Sequence, residues 1–151
     1  MSLEQEASLT YLGMALWSDN NGLKGAGSFF YAQSDEERLH MIKILKYITS
    51  HNGEASLPKS DVPSIEFNSL KAAVENSLEN EKKVTSSIQS ITTLALQEED
   101  YESFNFLKWF VDEQAEEEEK FKSILDKFEI LGKDGRALYS IDKLMGRMIA
   151  D

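Results

Sequence analysis

The chain has 151 residues, 27 of them Asp or Glu against 16 Lys or Arg, for a formal net charge of −11. That balance argues against nucleic acid and anionic membranes as partners and suits cations. The absence of cysteine excludes disulfides, thiolate metal ligands and Cys nucleophiles.

No apolar run approaches the length of a membrane span, and the N-terminus lacks the basic and apolar regions of a secretory leader. The expectation is a cytoplasmic protein with no membrane partner. A hydrophobic fraction of 41% fits a single globular domain over 1–151.

Taken in chain order, the spacing of apolar residues predicts helices throughout. A first helix runs to about Asn20, where "DNNGLKG" at 19–25 breaks it, and a second runs from about Leu23 to Asn52. The only prolines, Pro58 and Pro63, lie in "NGEASLPKSDVPSIEF", which marks a loop from about Gly53 to Phe67. From Asn68 to about Gln97 the helical period returns through Leu70, Val74, Leu78, Val84, Ile88 and Ile91. "EEDYES" is a short turn. A fourth helix then reaches Leu131, and Gly132 ends it as a C-cap. A short fifth segment, 134–149, carries Leu138, Ile141, Leu144, Met145 and Met148. No strand pattern of any length is present.

Similar helix lengths predict a bundle spanning about residues 3–131. The short connections make the first and second helices antiparallel, and likewise the third and fourth. The central loop is different: about fifteen extended residues reach about 50 Å, enough to run the length of a thirty-residue helix. Helices two and three are then parallel, and one long crossover in a four-helix bundle is the ferritin-like connection.

The acids decide what such a bundle is for. Glu37 has Phe30 seven residues before it and Ile44 seven after, and His40 joins the same face one turn on. Glu81 lies among Val74, Leu78, Val84 and Ile88; Glu117 lies between Phe110 and Ile124; Gln114 lies between Leu107 and Phe121. Glu4 precedes Tyr11 by seven. Any one Glu in a helical stripe ordinarily sits at its edge with its head in water, and "EEEE" at 116–119 taken alone is a solvated face. Four carboxylates, one from each helix, would repel one another in a core unless cations lay between them. Two divalent ions would neutralise them. Carboxylates with one imidazole and no sulfur suit iron(II) or manganese(II), and Glu-x-x-His beside a carboxylate from each helix is the di-iron arrangement of such bundles.

On these residues the sequence resembles a prokaryotic non-haem ferritin over nearly its whole length. "AQSDEERLHM" is similar to the family's second-helix motif, "FNFLKWFVDEQAEEEEKFKSILDK" to its fourth-helix motif, and "GRALYSIDK" to its short fifth helix. The resemblance implies that Glu4, Glu37 and His40 hold one iron, with Glu37 bridging, and that Glu81 and Glu117 hold the second, with Gln114 in or beside its ligand set. It implies a third iron site on the inner side at Glu36, Glu113 and Glu116, and a tyrosine, Tyr11, beside the di-iron centre.

Two departures accompany it. Haem-containing relatives carry a second Glu-x-x-His on the fourth helix and a haem-ligating Met directly after the bridging Glu. This chain has Gln114-Ala-Glu-Glu117 and Arg38 at those places, so no haem is expected. The family's first helix also extends well upstream of its iron-binding Glu, whereas this chain starts three residues before Glu4, and "MSL" reads as a replaced start.

The implied function is a ferroxidase and iron store. Iron(II) is oxidised by dioxygen or peroxide at the paired site, and ferric product is kept inside a twenty-four-subunit homo-oligomeric shell. The fifth helix would pack about its fourfold axes. A second reading, a di-iron or di-manganese oxidase or rubrerythrin-like peroxidase on the same bundle, normally brings more metal-binding His or a Cys₄ iron domain; this chain has two His and no Cys. A third is a metal-free helical interaction module. His51, near the long loop, reads as a surface residue.

Overall fold

The computed structural model describes residues 2–61 and 63–149; Met1, Val62, Ala150 and Asp151, included in the single-domain reading of 1–151, lie outside the described residues. Five helices follow one another: α1 (Ser2–Asn20), α2 (Lys24–Ser50), α3 (Leu70–Gln97), α4 (Tyr101–Leu131) and α5 (Gly135–Arg147). No strand occurs among the described residues.

Local chemistry sets the helix ends. Ser69 accepts a hydrogen bond from the Ala72 N–H, Asp100 from Ser103, and Asp134 from Arg136 and Ala137, each satisfying N–H groups that a first turn leaves unpaired. Gly132 ends α4 at φ 85°, a left-handed value that suits a residue without Cβ. The start of α2 is different: Leu23 offers no side-chain cap. Instead Asp142, on α5, accepts the Ala26 N–H at 2.8 Å. The two helices can come this close because a Cβ on Gly25 would collide with the Asp142 backbone, and one on Gly146 with Gly25 itself.

Helices α1 and α2 form one antiparallel hairpin, sealed where Ser8 and Ser34 each donate a hydroxyl to the other's carbonyl at 2.7 Å. Helices α3 and α4 form the second. The crossover is legible in its contacts along α1: Gln5 reaches the Pro58 carbonyl, Gly13 lies against the Ser64 carbonyl, and Trp17 meets the Phe67 ring edge-on at 5.9 Å. The loop therefore starts beside the beginning of α1 and finishes beside its end. Two further pairings, Tyr11 with Glu81 and Met14 with Ser77, set α1 antiparallel to α3. Helices α2 and α3 are thus parallel.

The hairpins meet more loosely than the helices within each. Among the described residues no Cα of α2 comes within 8 Å of one in α4. Side chains bridge that seam, and the space it leaves holds the polar interior. On one side of this layer lies the main apolar core, with Met14, Phe29, Phe30, Leu70, Phe121, Ile124, Ile141 and Met145. On the other is a smaller cluster around Val84, Ile88 and Phe110.

Candidate metal centre

Among the described residues, the polar side chains buried where the hairpins meet include Glu4, Gln33, Glu37, His40, Glu81, Gln114 and Glu117. Glu81 and Glu117 are 0% exposed and Glu37 1%, so these carboxylates do not reach water as stripe-edge residues would. Tyr11, 1% exposed, donates its phenolic O–H to Glu81 Oε1, and Gln114 Nε2 donates to Glu81 Oε2 at 3.0 Å. The Tyr11 ring is stacked on Phe30 and Phe121, at centroid distances of 6.2 and 5.7 Å. A rigid aromatic packing thus fixes the donor that orients Glu81.

Glu37 Oε2 lies 3.5 Å from His40 Nδ1. Its other oxygen, Oε1, is buried without a hydrogen-bond partner. A buried acceptor left in this way is costly for the fold alone and natural for a metal ligand. The His40 ring stands edge-on to Trp109 and Phe110, and the Lys43 ammonium lies 3.1 Å from the Trp109 ring centroid.

Electrostatics agree with the geometry. Burial pushes the Glu81 carboxyl up to about 7, helped by the Glu37 charge and opposed by the bonds from Tyr11 and Gln114. Burial likewise lifts Glu117 to about 7 against the pull of Lys120. Glu37 is raised too, by burial first, with His40 opposing and the charges of Glu117 and Glu4 adding. Burial disfavours charge on His40, yet its bond to Glu37 and the nearby charges of Glu37, Glu36 and Glu113 leave it above the ordinary imidazole value. Tyr11 is raised by burial and by Glu81, so it remains a phenol and a donor. A cation among these acids would reverse the penalty they share.

The residues assigned from the sequence divide into a buried set and a rim. Glu36 and Glu113 are half-buried and Glu116 is exposed. Glu36, His40 and Glu113 each offer a ligand atom, all within 4.8 Å of one another. His40 therefore belongs to two groupings, one with Glu37 and one with Glu36 and Glu113. His51 is exposed and pairs with Glu102 at 2.8 Å.

Two residues of this region escaped the sequence reading. Gln33 donates to Glu117 Oε2 and to Glu36 Oε2, both at 3.1 Å, and Lys120 binds Glu117 Oε1 at 2.5 Å and Glu36 Oε2 at 3.3 Å. The signal was available, since Gln33 lies four residues before Glu37 and Lys120 three after Glu117, each on the same helical face.

A family profile described as a ferritin-like domain matches residues 1–131. The chain belongs to the ferritin family. Over 148 residues it is 40% identical to a probable bacterial non-heme ferritin-like protein of Haemophilus influenzae, covering 98% of this chain and 90% of that protein. It is 37% identical to the bacterial non-heme ferritin of Campylobacter jejuni over 140 residues, covering 93% and 84%. The open pore ferritin of the archaeon Archaeoglobus fulgidus superposes with a TM-score of 0.90 at 35% identity, covering 95% of this chain and 90% of that one. Ferritin membership and the bundle with one long crossover thus agree with the sequence reading. No helix among the described residues is long and apolar enough to cross a membrane.

Proposed function

We propose that this chain is the subunit of an iron-storage ferritin and a ferroxidase, taking iron(II) as substrate and dioxygen or peroxide as oxidant. The observation that carries the reading is the buried carboxylate layer contributed by all four bundle helices, with two members lifted to about 7 and Glu37 Oε1 unsatisfied. Such a layer is unfavourable in an apolar interior unless divalent cations occupy it.

In this reading Glu4, Glu37 and His40 bind one iron, Glu81 and Glu117 the second, and Glu37 lies between them. Gln114 and Tyr11 hold Glu81 in place, which fixes its carboxylate plane before iron arrives. Near neutral pH Glu81 and Glu117 are partly protonated, so iron entry displaces protons into the seam. Two iron(II) ions each give up one electron to the oxidant, and ferric product leaves by way of Glu36, Glu113 and Glu116 to a cavity enclosed by many copies of the chain. The twenty-four-subunit shell belongs to the same proposal.

Anaerobic titration tests it: the apoprotein should take up about two iron(II) per chain tightly, and admission of air should produce ferric absorbance. One tight iron, or none, would refute a paired site. Sizing and scattering should show a large hollow particle, an outcome the peroxidase and interaction-module readings do not share.

A further inference from the structure

Lys120 does something the ferroxidase reading leaves unused. Its ammonium, on α4, spans two carboxylates on different helices, Glu117 on α4 and Glu36 on α2. Gln33 takes the remaining Glu117 oxygen and shares the same Glu36 oxygen with Lys120. Both oxygens of Glu117 are therefore committed to α2–α4 bridging, and the lysine is the nearest cation to a carboxylate that is 0% exposed. Its side chain is only 25% exposed, so this is no loose surface pair. Lys43, the other lysine near the site, sits instead on the Trp109 ring.

We propose that the Lys120 ammonium is a tethered competitor for divalent metal. It fills the cation position shared by Glu36 and Glu117, and swings out toward solvent when a metal takes these carboxylates. The inference rests on the metal-site reading above and adds affinity control to it. An unopposed cluster of carboxylates would hold metal tightly, whereas an internal cation that returns when metal leaves weakens the second site and favours onward transfer. It also steadies the α2–α4 seam whenever metal is away. The flexible stem is suited to this, since an ammonium on four methylenes can exchange partners without moving its helix.

The test uses the full-length protein, stripped with chelator and titrated with zinc(II), which binds without redox chemistry. Lys120→Met, which keeps the stem and removes the charge, should bind the weaker-held zinc on the order of ten-fold more tightly and melt at a lower temperature without metal. Lys120→Arg should stay close to the unaltered protein in both. A measurement independent of any variant is the labelling of Lys120 by an amine-reactive reagent, read by mass spectrometry; zinc should raise it several-fold. Zinc affinity unchanged or weaker in Lys120→Met would overturn the inference, as would labelling that zinc does not alter, with the metal-site reading left standing. Failure of the unaltered protein to bind zinc at all would overturn both.

Discussion

The two halves of the bundle interior solve different problems. Around Phe30, Phe121, Ile124 and Ile141 the core is apolar and aromatic, and α5 closes it through Ile141 and Met145. A few turns away the same four helices bury Glu4, Glu37, Glu81 and Glu117. The first half contributes the favourable free energy of burial. The second stores unfavourable free energy, visible in carboxyls raised by desolvation and in the unpartnered Glu37 Oε1. Stability in one half supports strain in the other, the usual relation between scaffold and site. Substitutions should therefore have opposite signs in the two halves.

The largest loss of stability should come from the apolar half. Phe121→Ala removes a ring packed against both Tyr11 and Phe29 and should destabilise the fold by about 3–5 kcal/mol, measured by denaturant unfolding of the apoprotein. Glu37→Ala is the counterpart. Iron oxidation should fall on the order of 100-fold or more, at least as much as the loss of a ligand's supporting residue costs in other metal sites. Yet the apoprotein should be as stable as before or melt higher, because a desolvated, partly unsatisfied acid is gone. Glu81→Ala should weaken oxidation less and leave one metal bound. A Glu37→Ala protein with normal oxidation, or with a badly destabilised apo form, would identify Glu37 as a structural acid.

How far the sequence disclosed this arrangement depended on which signal each part left. Helix bounds came within a few residues because breakers mark them: Gly22 and Gly132 both take positive φ, and Pro58 and Pro63 sit in the crossover. The buried acids were legible as violations of a periodic apolar stripe. For the α2–α4 bridge, spacing places Gln33 and Lys120 on the helical faces of Glu37 and Glu117, but the partners they join across the seam were not legible. Nor was the α2–α5 joint. Asp142 looks like a solvated acid on a short helix, and only the tertiary contact gives it the Ala26 N–H. The grouping of His40 with Glu36 and Glu113, in addition to its pairing with Glu37, was likewise a matter of side-chain geometry rather than spacing.

pH should sharpen the contrast between the halves without any mutation. Glu81 and Glu117 titrate near 7 in the folded chain, against an ordinary carboxyl value of 4.5. Between those values the native state holds more protons than the unfolded state, so stability present at low pH is lost as pH rises toward and through 7. The apoprotein should thus melt several degrees higher at pH 6 than at pH 8. Divalent metal should reverse the trend, because its affinity grows as the same carboxyls lose their protons. Glu81→Gln should flatten the apo dependence, whereas a substitution in the apolar half should shift the melting curve at every pH and leave its slope intact.

The smallest effect should come from the joint that fastens α5 to the apolar half. Asp142 Oδ1 does for α2 what Leu23 cannot, accepting an N–H in its first turn from a residue 116 positions away. Removing a helix cap typically costs about 1 kcal/mol, and the Asp142 side chain is nearly buried, so water replaces it poorly. Asp142→Ala should therefore lower stability by about that amount, and Asp142→Asn, which keeps an acceptor oxygen, by less. Gly25 and Gly146 should tolerate substitution worse than Asp142 does, since a Cβ at either would push the helices apart. None of these changes touches the carboxylate layer, so iron(II) binding per chain should stay as it was. If Asp142→Ala instead altered metal stoichiometry, the two halves would be coupled through α2, and the separation of scaffold from site would have to be redrawn along that helix.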